Sequence, residues 1–157
     1  MEKEVFTKIY TAQFRFVWNI CLTLLNNPAD TEDAVQETFL RLLKQDDEIS
    51  SAEHLRAWLT VTARNVCRDE LRRFRRKELP LDSANESAVT QPELDETLTA
   101  VRKLPEKYRL PIYLFYYEEL STAQIAKILK RRESTVRSDL RRGREKLKKM
   151  LGGNKNE

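Results

Sequence analysis

The sequence predicts an all-α protein of two helical domains joined by a flexible linker. Only 3 Gly and 5 Pro occur among the 157 residues, whereas small domains built from strands need more turn residues than this. Apolar residues recur at three- and four-residue spacing over most of the chain, which is the period of an α-helix. This period fails from Lys77 to Pro92, where the chain is polar, acidic and interrupted by Pro80. We therefore interpret that stretch as an exposed linker.

Three helices are predicted before the linker, and they can form the core of an N-terminal bundle of three to four helices. The first spans about residues 3–26 and ends before Pro28. The second begins near Asp30, a favourable N-cap residue, and the third spans about residues 52–74 after a polar loop. The residues predicted to face this core are Phe6, Ile9, Tyr10, Val17, Cys21, Leu24, Leu25, Val35, Thr38, Phe39, Leu42, Leu43, Leu55, Trp58, Leu59, Thr62, Val66 and Leu71.

Two further helices are predicted directly after the linker. The first begins near Glu93 and ends before Pro105. The second spans about residues 108–118 and carries Pro111 in its first turn, where proline is tolerated. The apolar residues of the first of these helices are Leu94, Leu98, Val101 and Leu104.

A helix-turn-helix is the clearest local signal in the chain. Ser121 is followed three residues later by Gln124, which is the pattern of a capping box at the start of a helix. The helix predicted over residues 122–129 is followed by a polar turn and by a basic helix that begins at Ser134. Two short helices joined in this way are typical of DNA-binding domains. The predicted buried residues are Ile125, Ala126, Leu129, Val136, Leu140, Leu147 and Met150.

Charge is segregated into blocks, although the net charge is only +4. Residues 1–63 carry 6 basic and 10 acidic side chains, and residues 79–100 carry 5 acidic and no basic ones. Residues 64–78 carry 7 basic and 3 acidic side chains, and residues 101–157 carry 16 and 7. Two separate basic blocks suggest two separate contacts with a polyanion, although solvated helix faces would produce the same pattern.

Each basic block offers exposed side chains that are suited to nucleic acid. Arginines near the start of the final helix can reach base edges in the major groove of DNA. On the third helix, Asn65 shares an exposed face with basic residues, a combination suited to unpaired DNA. The candidates on the final helix are Ser134, Thr135, Arg137, Ser138, Arg141, Arg142 and Arg144, with Lys127, Lys130 and Arg131 as phosphate contacts. The candidates on the third helix are Arg64, Asn65, Arg68, Asp69, Arg72 and Arg73.

An acidic and polar strip lies on the second helix, opposite its apolar stripe. This acidic strip consists of Asp33, Gln36, Glu37, Leu40 and Arg41, and Lys44 lies on the same face. A leucine exposed among polar residues is compatible with protein docking. From spacing alone, however, a solvated helix face is the simpler interpretation.

Few residues are suited to metal binding or acid–base catalysis. His54 is the only histidine, and Cys21 and Cys67 form no CxxC or Cys/His cluster. We therefore expect no catalytic residue, no metal and no cofactor, and reduced cysteines fit a cytoplasmic location. No run approaches the roughly 18 apolar residues of a membrane span, and no secretion signal begins the chain, so membrane insertion is not expected.

Segments in both predicted domains resemble bacterial sigma-70 factors of the extracytoplasmic-function (ECF) type, in the order of that family. Residues 30–42, DTEDAVQETFLRL, resemble region 2.2, and residues 58–73, WLTVTARNVCRDELRR, resemble regions 2.3 and 2.4. Residues 104–109 and 118–129 resemble region 4.1, and residues 134–147, STVRSDLRRGREKL, resemble region 4.2. The resemblance is to the minimal two-domain form of the family and identifies the chain as a sigma factor.

The resemblance implies a role for each segment. Region 2.2 docks on the clamp helices of the polymerase β′ subunit, which assigns the acidic strip to binding of core RNA polymerase. Regions 2.3 and 2.4 recognise and melt the −10 promoter element by capturing an extruded base, which places Asn65 at a pocket with backbone from residues 45–51. Region 4.2 reads the −35 element through the candidates on the final helix, and region 4.1 faces the polymerase β flap. An anti-sigma factor is a further partner that the family implies.

The resemblance also sets the expected domain limits. Region 2 is expected over residues 1–77, a linker over residues 78–92, region 4 over residues 93–151 and a disordered tail over residues 152–157.

Some residues of the helix-turn-helix depart from the family pattern. Lys130 stands where the turn usually carries Gly, which makes a left-handed backbone conformation less secure there. Asp139 stands where a basic residue is common, and Ser134 where Gly or Pro is common. We therefore expect an unusual preference for the −35 element.

Other functions remain open at this point. A helix-turn-helix regulator that binds duplex DNA without polymerase would leave the acidic strip without a role. A sigma-like decoy would bind polymerase without initiating transcription. A small nuclease would need a metal site or an acid–base pair that the sequence does not offer.

Overall fold

The computed structural model describes residues 1–76 and 96–152, and every regular element in these two ranges is an α-helix. The chain divides between Val89 and Thr90 into two compact units, which we call unit 1 and unit 2. The prediction of an all-α chain with two helical domains is confirmed. The predicted linker at residues 78–92 lies outside the described residues.

Unit 1 contains three described helices: α1 spans Lys3–Leu25, α2 spans Pro28–Lys44 and α3 spans Ala52–Arg76. α1 ends because Asn26 adopts a left-handed conformation with φ 57°, and its N–H donates to the Leu22 carbonyl.

The cap of α2 is Asn27, and the prediction of Asp30 as the N-cap is wrong. The Asn27 Oδ1 accepts a hydrogen bond from the Asp30 N–H at 3.0 Å. Pro28, whose fixed φ suits the first helical position, follows the cap directly. Asp30 therefore lies inside the first turn. Burial raises the pKa of its carboxyl, and the neighbouring Glu70 and Asp33 raise that pKa further.

The core of unit 1 forms where α1, α2 and α3 pack against one another. Tyr10 and Leu43 were predicted to face this core, but they are 39% and 40% exposed. Trp58 is half-buried. The period of a helix identifies its apolar face but not the point along the helix at which its neighbours end. The buried residues include Phe16, Val17, Ile20, Cys21, Leu22, Leu24, Leu25, Val35, Phe39, Leu42, Leu55, Leu59, Val66 and Cys67.

Unit 2 contains four described helices: α4 spans Glu96–Arg102, α5 spans Glu106–Tyr116, α6 spans Thr122–Leu129 and α7 spans Glu133–Gly152. α5 and α7 begin two residues and one residue earlier than predicted, and α7 includes Gly152, which was predicted to belong to the tail. The predicted helix residues Glu93 and Leu94 and the rest of the tail lie outside the described residues.

Pro111 lies in the interior of α5 and not in its first turn, as had been predicted. Because proline has no N–H, the carbonyl of Lys107, four residues earlier, receives no helical hydrogen bond from it. The Arg131 guanidinium donates to that carbonyl at 3.3 Å. The turn of the helix-turn-helix is thereby joined to α5.

The core of unit 2 forms around α7, which packs against α4, α5 and α6. Met150 was predicted to be buried but is 45% exposed, because it lies near the end of α7. The buried residues include Leu98, Val101, Leu104, Tyr108, Leu110, Ile112, Tyr113, Leu114, Ile125, Leu129, Val136, Leu140 and Leu147.

Gly143 is the point of closest approach between α7 and α5. A Cβ added at Gly143 would lie 2.8 Å from Ile112 Cγ1 and 3.0 Å from Ile112 Cδ1. Ile112 is almost fully buried, so the contact is not relieved by movement into solvent. The absence of a side chain at Gly143 therefore permits the packing of these two helices.

Replacing Gly143 by alanine should destabilise unit 2 by about 1–3 kcal/mol, because the added methyl group overpacks the α5–α7 contact. Urea unfolding followed by far-UV circular dichroism should show the loss. Tryptophan fluorescence should not change, since Trp18 and Trp58 both lie in unit 1. Gly152→Ala is the matched control, because nothing lies within 4 Å of its added Cβ. Equal stability of the two variants would contradict the overpacking.

Candidate nucleic-acid and protein-docking interfaces

The helix-turn-helix of unit 2 is formed by α6 and α7, as the sequence predicts. The Gln124 N–H donates to Ser121 Oγ at 3.1 Å, and the Ser121 N–H donates to Gln124 Oε1 at 2.8 Å. This reciprocal pair is the predicted capping box. The turn begins at Lys130, which adopts a left-handed conformation with φ 56° despite its side chain. The left-handed turn, which the sequence made less secure, therefore forms although Lys130 stands where glycine is usual.

The exposed face of α7 brings together part of the predicted −35 set. At 100° per residue, Ser134, Ser138 and Arg141 fall within about 60° of one another on the side opposite the buried stripe. Thr135 and Arg142 lie on one side of these three residues. All of these side chains are exposed except that of Ser138, which is half-buried.

Arg137 and Arg144 lie on the other side of these three residues. Each guanidinium interacts with another side chain of unit 2. Arg137 Nη1 lies 3.2 Å from Glu133 Oε2, which also accepts a hydrogen bond from the Thr122 hydroxyl at 3.2 Å. Arg144 Nη1 donates to the Tyr116 hydroxyl of α5 at 3.1 Å. Arg144 is therefore directed towards α5 and away from the face that contains Arg141.

Asp139 lies on the buried side of α7 and is only 6% exposed. Its Oδ2 lies 3.3 Å from Arg131 Nη1, the atom that also donates to the Lys107 carbonyl. The acidic residue at this position therefore packs inside unit 2 and does not face solvent as a base-reading side chain would. Its position three residues after the buried Val136 was the signal in the sequence that could have indicated this.

The outer face of α3 brings together Asn65, Arg68, Asp69 and Arg72, which are all exposed and fall within an arc of about 100°. Arg64 is half-buried at one edge of this face. On the opposite edge, Arg73 Nη1 lies 3.3 Å from Glu70 Oε1 of the same helix.

The loop before α3 lies far from Asn65. Ser51 precedes α3, and a rise of 1.5 Å per residue places it about 20 Å from Asn65 along the helix axis. A single extruded base cannot contact both, so the predicted pocket that combined them is wrong in that respect. The loop instead borders a cleft of about 380 Å³ beside the start of α1, lined among others by Val5, Ile9 and Ile49.

The acidic strip lies on the exposed side of α2. Asp33, Gln36, Glu37 and Leu40 are all exposed, and Leu40 reaches 46%. Arg41 is partly buried towards α3, where its Nη2 lies 3.7 Å from Asp69 Oδ2. The strip is therefore connected to the outer face of α3, which spacing along α2 alone does not reveal.

A largely apolar cleft of about 430 Å³ lies on unit 2 and was not predicted from the sequence. Tyr116 is 46% exposed at this cleft. Its lining residues come from α4, α5 and α7 together with Tyr117, so helical periodicity within one segment gives no signal for it. They are Thr97, Val101, Ile112, Tyr116, Tyr117, Arg144, Leu147 and Lys148.

Within residues 1–76 and 96–152, no group of three or more His, Cys, Asp or Glu side chains is placed to hold a metal ion. None of the helices described in these ranges is long and apolar enough to cross a membrane.

Comparison with known families matches both units. Residues 9–77 match Sigma-70 region 2, and residues 94–147 match Sigma-70, region 4. The ECF RNA polymerase sigma factor SigL of Mycobacterium tuberculosis is 35% identical over 149 residues, which cover 88% of this chain and 84% of SigL. The chain belongs to the sigma-70 family. It is an RNA polymerase sigma factor of the ECF type, as the sequence predicts.

One further relative is similar in sequence, and two solved structures are similar in fold. The ECF sigma factor SigW of Bacillus subtilis is 29% identical over 170 residues, covering 96% of this chain and 90% of SigW. The fold matches the sigma factor RpoE of Bartonella quintana, solved with the anti-sigma factor NepR, at a TM-score of 0.75 and 24% identity over 94% of this chain and 97% of RpoE. It also matches CnrH, solved with the cytosolic domain of CnrY, at a TM-score of 0.68 and 22% identity over 97% of this chain and 90% of CnrH.

The match to region 2 decides between the functions that the sequence left open. A helix-turn-helix regulator needs no counterpart of region 2, yet residues 9–77 match it and form a unit of their own. A regulator that acts without polymerase is therefore not favoured.

Replacing Lys130 by glycine should stabilise unit 2 by about 1 kcal/mol, because glycine adopts the left-handed conformation without a Cβ clash. Lys127→Gly is the matched control: it removes the same side chain from inside α6 and should destabilise by about 1 kcal/mol. Urea unfolding followed by circular dichroism compares the two. Loss of stability in both variants would show that φ at residue 130 carries no strain.

Proposed function

We propose that this sigma factor carries core RNA polymerase to promoters through unit 1, which also opens the −10 element, and reads the −35 element through unit 2. We assign region 2 to residues 1–77 and region 4 to residues 93–151. The observation that supports the proposal best is the separation of two cationic helical faces, on α3 and α7, into two compact units. Two faces on separate units suit two separate promoter elements.

The acidic strip on α2 is the proposed docking surface for the clamp helices of the polymerase β′ subunit. Its carboxylates and the Gln36 amide lie on the same helix face as the exposed Leu40 side chain, in the turns that precede it. An apolar contact within a polar rim is the usual composition of a protein interface. The charge of Asp33 and Glu37 would steer a basic partner surface towards it.

The outer face of α3 is the proposed contact with the non-template strand of the −10 element. Asn65 can hydrogen-bond a base edge, while Arg68 and Arg72 attract the backbone. Extruding a base costs a few kcal/mol, so binding energy gained at a preformed surface favours the melted DNA. The loop at residues 45–51 would contact a different nucleotide, since it lies about 20 Å away along α3.

The exposed face of α7 is the proposed reader of the −35 element. Ser134, Ser138 and Arg141 lie near the N-terminal end of the helix, the part of a recognition helix that reaches base edges. Thr135 and Arg142 are placed for the flanking phosphates. Because Arg144 is directed towards α5 and Asp139 is buried, we exclude both from base reading.

The cleft on unit 2 is the proposed site for the polymerase β flap. Its apolar lining and the exposed ring of Tyr116 suit an apolar helix, and Arg144 and Lys148 at its edge suit acidic residues beside that helix. This assignment gives region 4 a polymerase contact in the later turns of α7, beyond the residues proposed to read DNA.

We infer that the chain acts in the cytoplasm, contributes no catalytic group and binds an anti-sigma factor. The polymerase supplies the nucleotidyl chemistry. The inference of an anti-sigma partner is supported by RpoE and CnrH, whose folds match this one and which were solved with NepR and with the cytosolic domain of CnrY.

Replacing Glu37 by lysine should weaken binding to core polymerase at least about tenfold, since it places a cation where the partner surface is expected to be basic. Fluorescence anisotropy of the labelled full chain measures the affinity. Glu4→Lys makes the same change of charge at an exposed position of α1, about 160° around that helix from Phe6, whose ring lies beside Phe39 of α2, and should have little effect. Equal losses for the two variants would refute the acidic strip as the docking surface.

Replacing Arg141 by alanine should reduce the affinity of the polymerase complex for its −35 site by about 1–3 kcal/mol, with a smaller loss on DNA that lacks the site. Lys146→Ala removes an exposed cation from the later turns of α7 and should weaken both DNAs alike. Competition binding at one fixed salt concentration measures both. A uniform loss for Arg141→Ala would make that side chain a phosphate contact.

A further inference from the structure

A polar bridge inside unit 2 joins the turn of the helix-turn-helix to both α5 and α7. Arg131 Nη1 donates to the Lys107 carbonyl of α5 at 3.3 Å and lies 3.3 Å from Asp139 Oδ2 of α7. We call these three residues the Arg131 bridge. Arg131 was predicted to contact a DNA phosphate, but its side chain is only 23% exposed and its Nη1 is used by these two acceptors.

The two acceptors of the Arg131 bridge both need a donor. Pro111 has no N–H, so the Lys107 carbonyl lacks the hydrogen bond that an α-helix would supply. The Asp139 side chain is only 9% exposed, and a carboxylate buried to that extent requires a counter-charge. One guanidinium satisfies both acceptors, because its Nη1 carries two N–H donors. The bridge therefore ties α5, the turn and α7 together at one point.

Asp139 lies at one edge of the buried stripe of α7. At 100° per residue, Arg144 lies about 140° away at the other edge, where it donates to the Tyr116 hydroxyl at 3.1 Å. Gly143 lies between these two edges and brings α7 against α5 without a side chain of its own. A contact without an interlocking side chain restrains rotation of α7 about its axis less than an interdigitated one. The polar contacts at the two edges, of which the Arg131 bridge is the more buried, supply that restraint.

Small rotations of α7 affect the reading of base edges. Side chains end about 5–6 Å from the axis of a helix, so a rotation of about 20° moves their ends by about 2 Å. The donor–acceptor distance of a hydrogen bond varies over only about 0.5 Å. Burial of the apolar stripe decides which face of α7 is outward, but apolar attraction is non-directional and restrains a rotation of this size weakly. A directional contact is needed to fix the rotation more closely.

We propose that Arg131 and Asp139 are positioning residues for the −35 element, an inference that rests on the proposed function of α7. The Arg131 bridge fixes the rotation of α7 against α5, and this rotation decides which base edges Ser138 and Arg141 reach. The two bridge side chains act without contacting DNA themselves. Arg131 thus contributes to sequence selectivity and not to phosphate attraction, which carries no sequence information.

The test measures a discrimination factor for the full chain bound to core polymerase. This factor is the affinity for a promoter fragment selected from random DNA, divided by the affinity for the same fragment with one −35 base pair replaced. It should be about 5 to 150 in the unmodified chain. Replacing Arg131 and Asp139 together by alanine should lower it at least about fivefold, the value of one base contact. The double variant leaves no unpaired buried charge and is therefore expected to fold.

Two control variants separate positioning from stability. Asp139→Asn keeps a side-chain oxygen that accepts from Arg131 and should retain most of the discrimination factor. Leu98→Ala removes a buried side chain of α4 and leaves the three residues of the Arg131 bridge in place. It should lower the stability of unit 2 in urea without changing the factor. Circular dichroism checks that each variant is folded under the conditions of the binding measurement.

The outcomes distinguish this inference from the proposed function. An unchanged discrimination factor in the double variant, with equally weakened binding to both fragments, would make Arg131 the phosphate contact that the sequence predicts and overturns the inference. An equal fall of the factor in Leu98→Ala would show that the factor follows stability, and this also overturns it. Failure of the −35 surface itself would appear separately, as a factor of one in the unmodified chain for every base pair replaced.

Discussion

The burial of one apolar stripe on each of α3 and α7 is the constraint on which the interfaces depend. On α7, Val136, Leu140 and Leu147 pack into unit 2, and this fixes the rotation of the helix about its own axis. Each large apolar side chain contributes about 1.5–3 kcal/mol on burial, whereas exposed ion pairs contribute at most about 1 kcal/mol. Packing therefore decides the orientation of the helix, and the arginines opposite the stripe are presented to solvent as a consequence. The same argument places Asn65 and its basic neighbours on the outer face of α3.

Carboxylates within these cationic surfaces organise the arginines around them. Glu133 pairs with Arg137 and accepts the Thr122 hydroxyl, which joins the starts of α6 and α7. Asp139 pairs with Arg131. The Arg131 guanidinium also donates a hydrogen bond to the Lys107 carbonyl, which has no helical donor because Pro111 lacks an N–H. The local net charge is lowered by these acids. Arg131 is thereby held against the interior of unit 2, whereas Arg137 remains largely exposed.

The cationic surface is divided between two units, and this division affects how the proposed binding of a promoter would work. On the proposed function, each face would neutralise only a few phosphates, so each contact with DNA would be individually modest and strongly dependent on salt. Two modest contacts carried by one chain reinforce each other, because the first bound unit raises the effective concentration of the second. The membership of this chain in the sigma-70 family, through matches to regions 2 and 4, agrees with that arrangement. Polymerase docking on the acidic strip would add a third contact.

The sequence by itself determined the helical class, the two-domain organisation, the helix-turn-helix with its capping box, and the exposed position of most candidate side chains. These features follow from local spacing and capping chemistry, which act over a few residues. Only the tertiary structure decided that Tyr10 and Leu43 are exposed. It also decided that Asp139 is buried beside Arg131 and that Arg144 donates a hydrogen bond to Tyr116. It also placed Arg41 beside Asp69 and formed the cleft around Tyr116. Each of these depends on helices that are distant in sequence, and the spacing within one helix carries no information about the length or position of its neighbours.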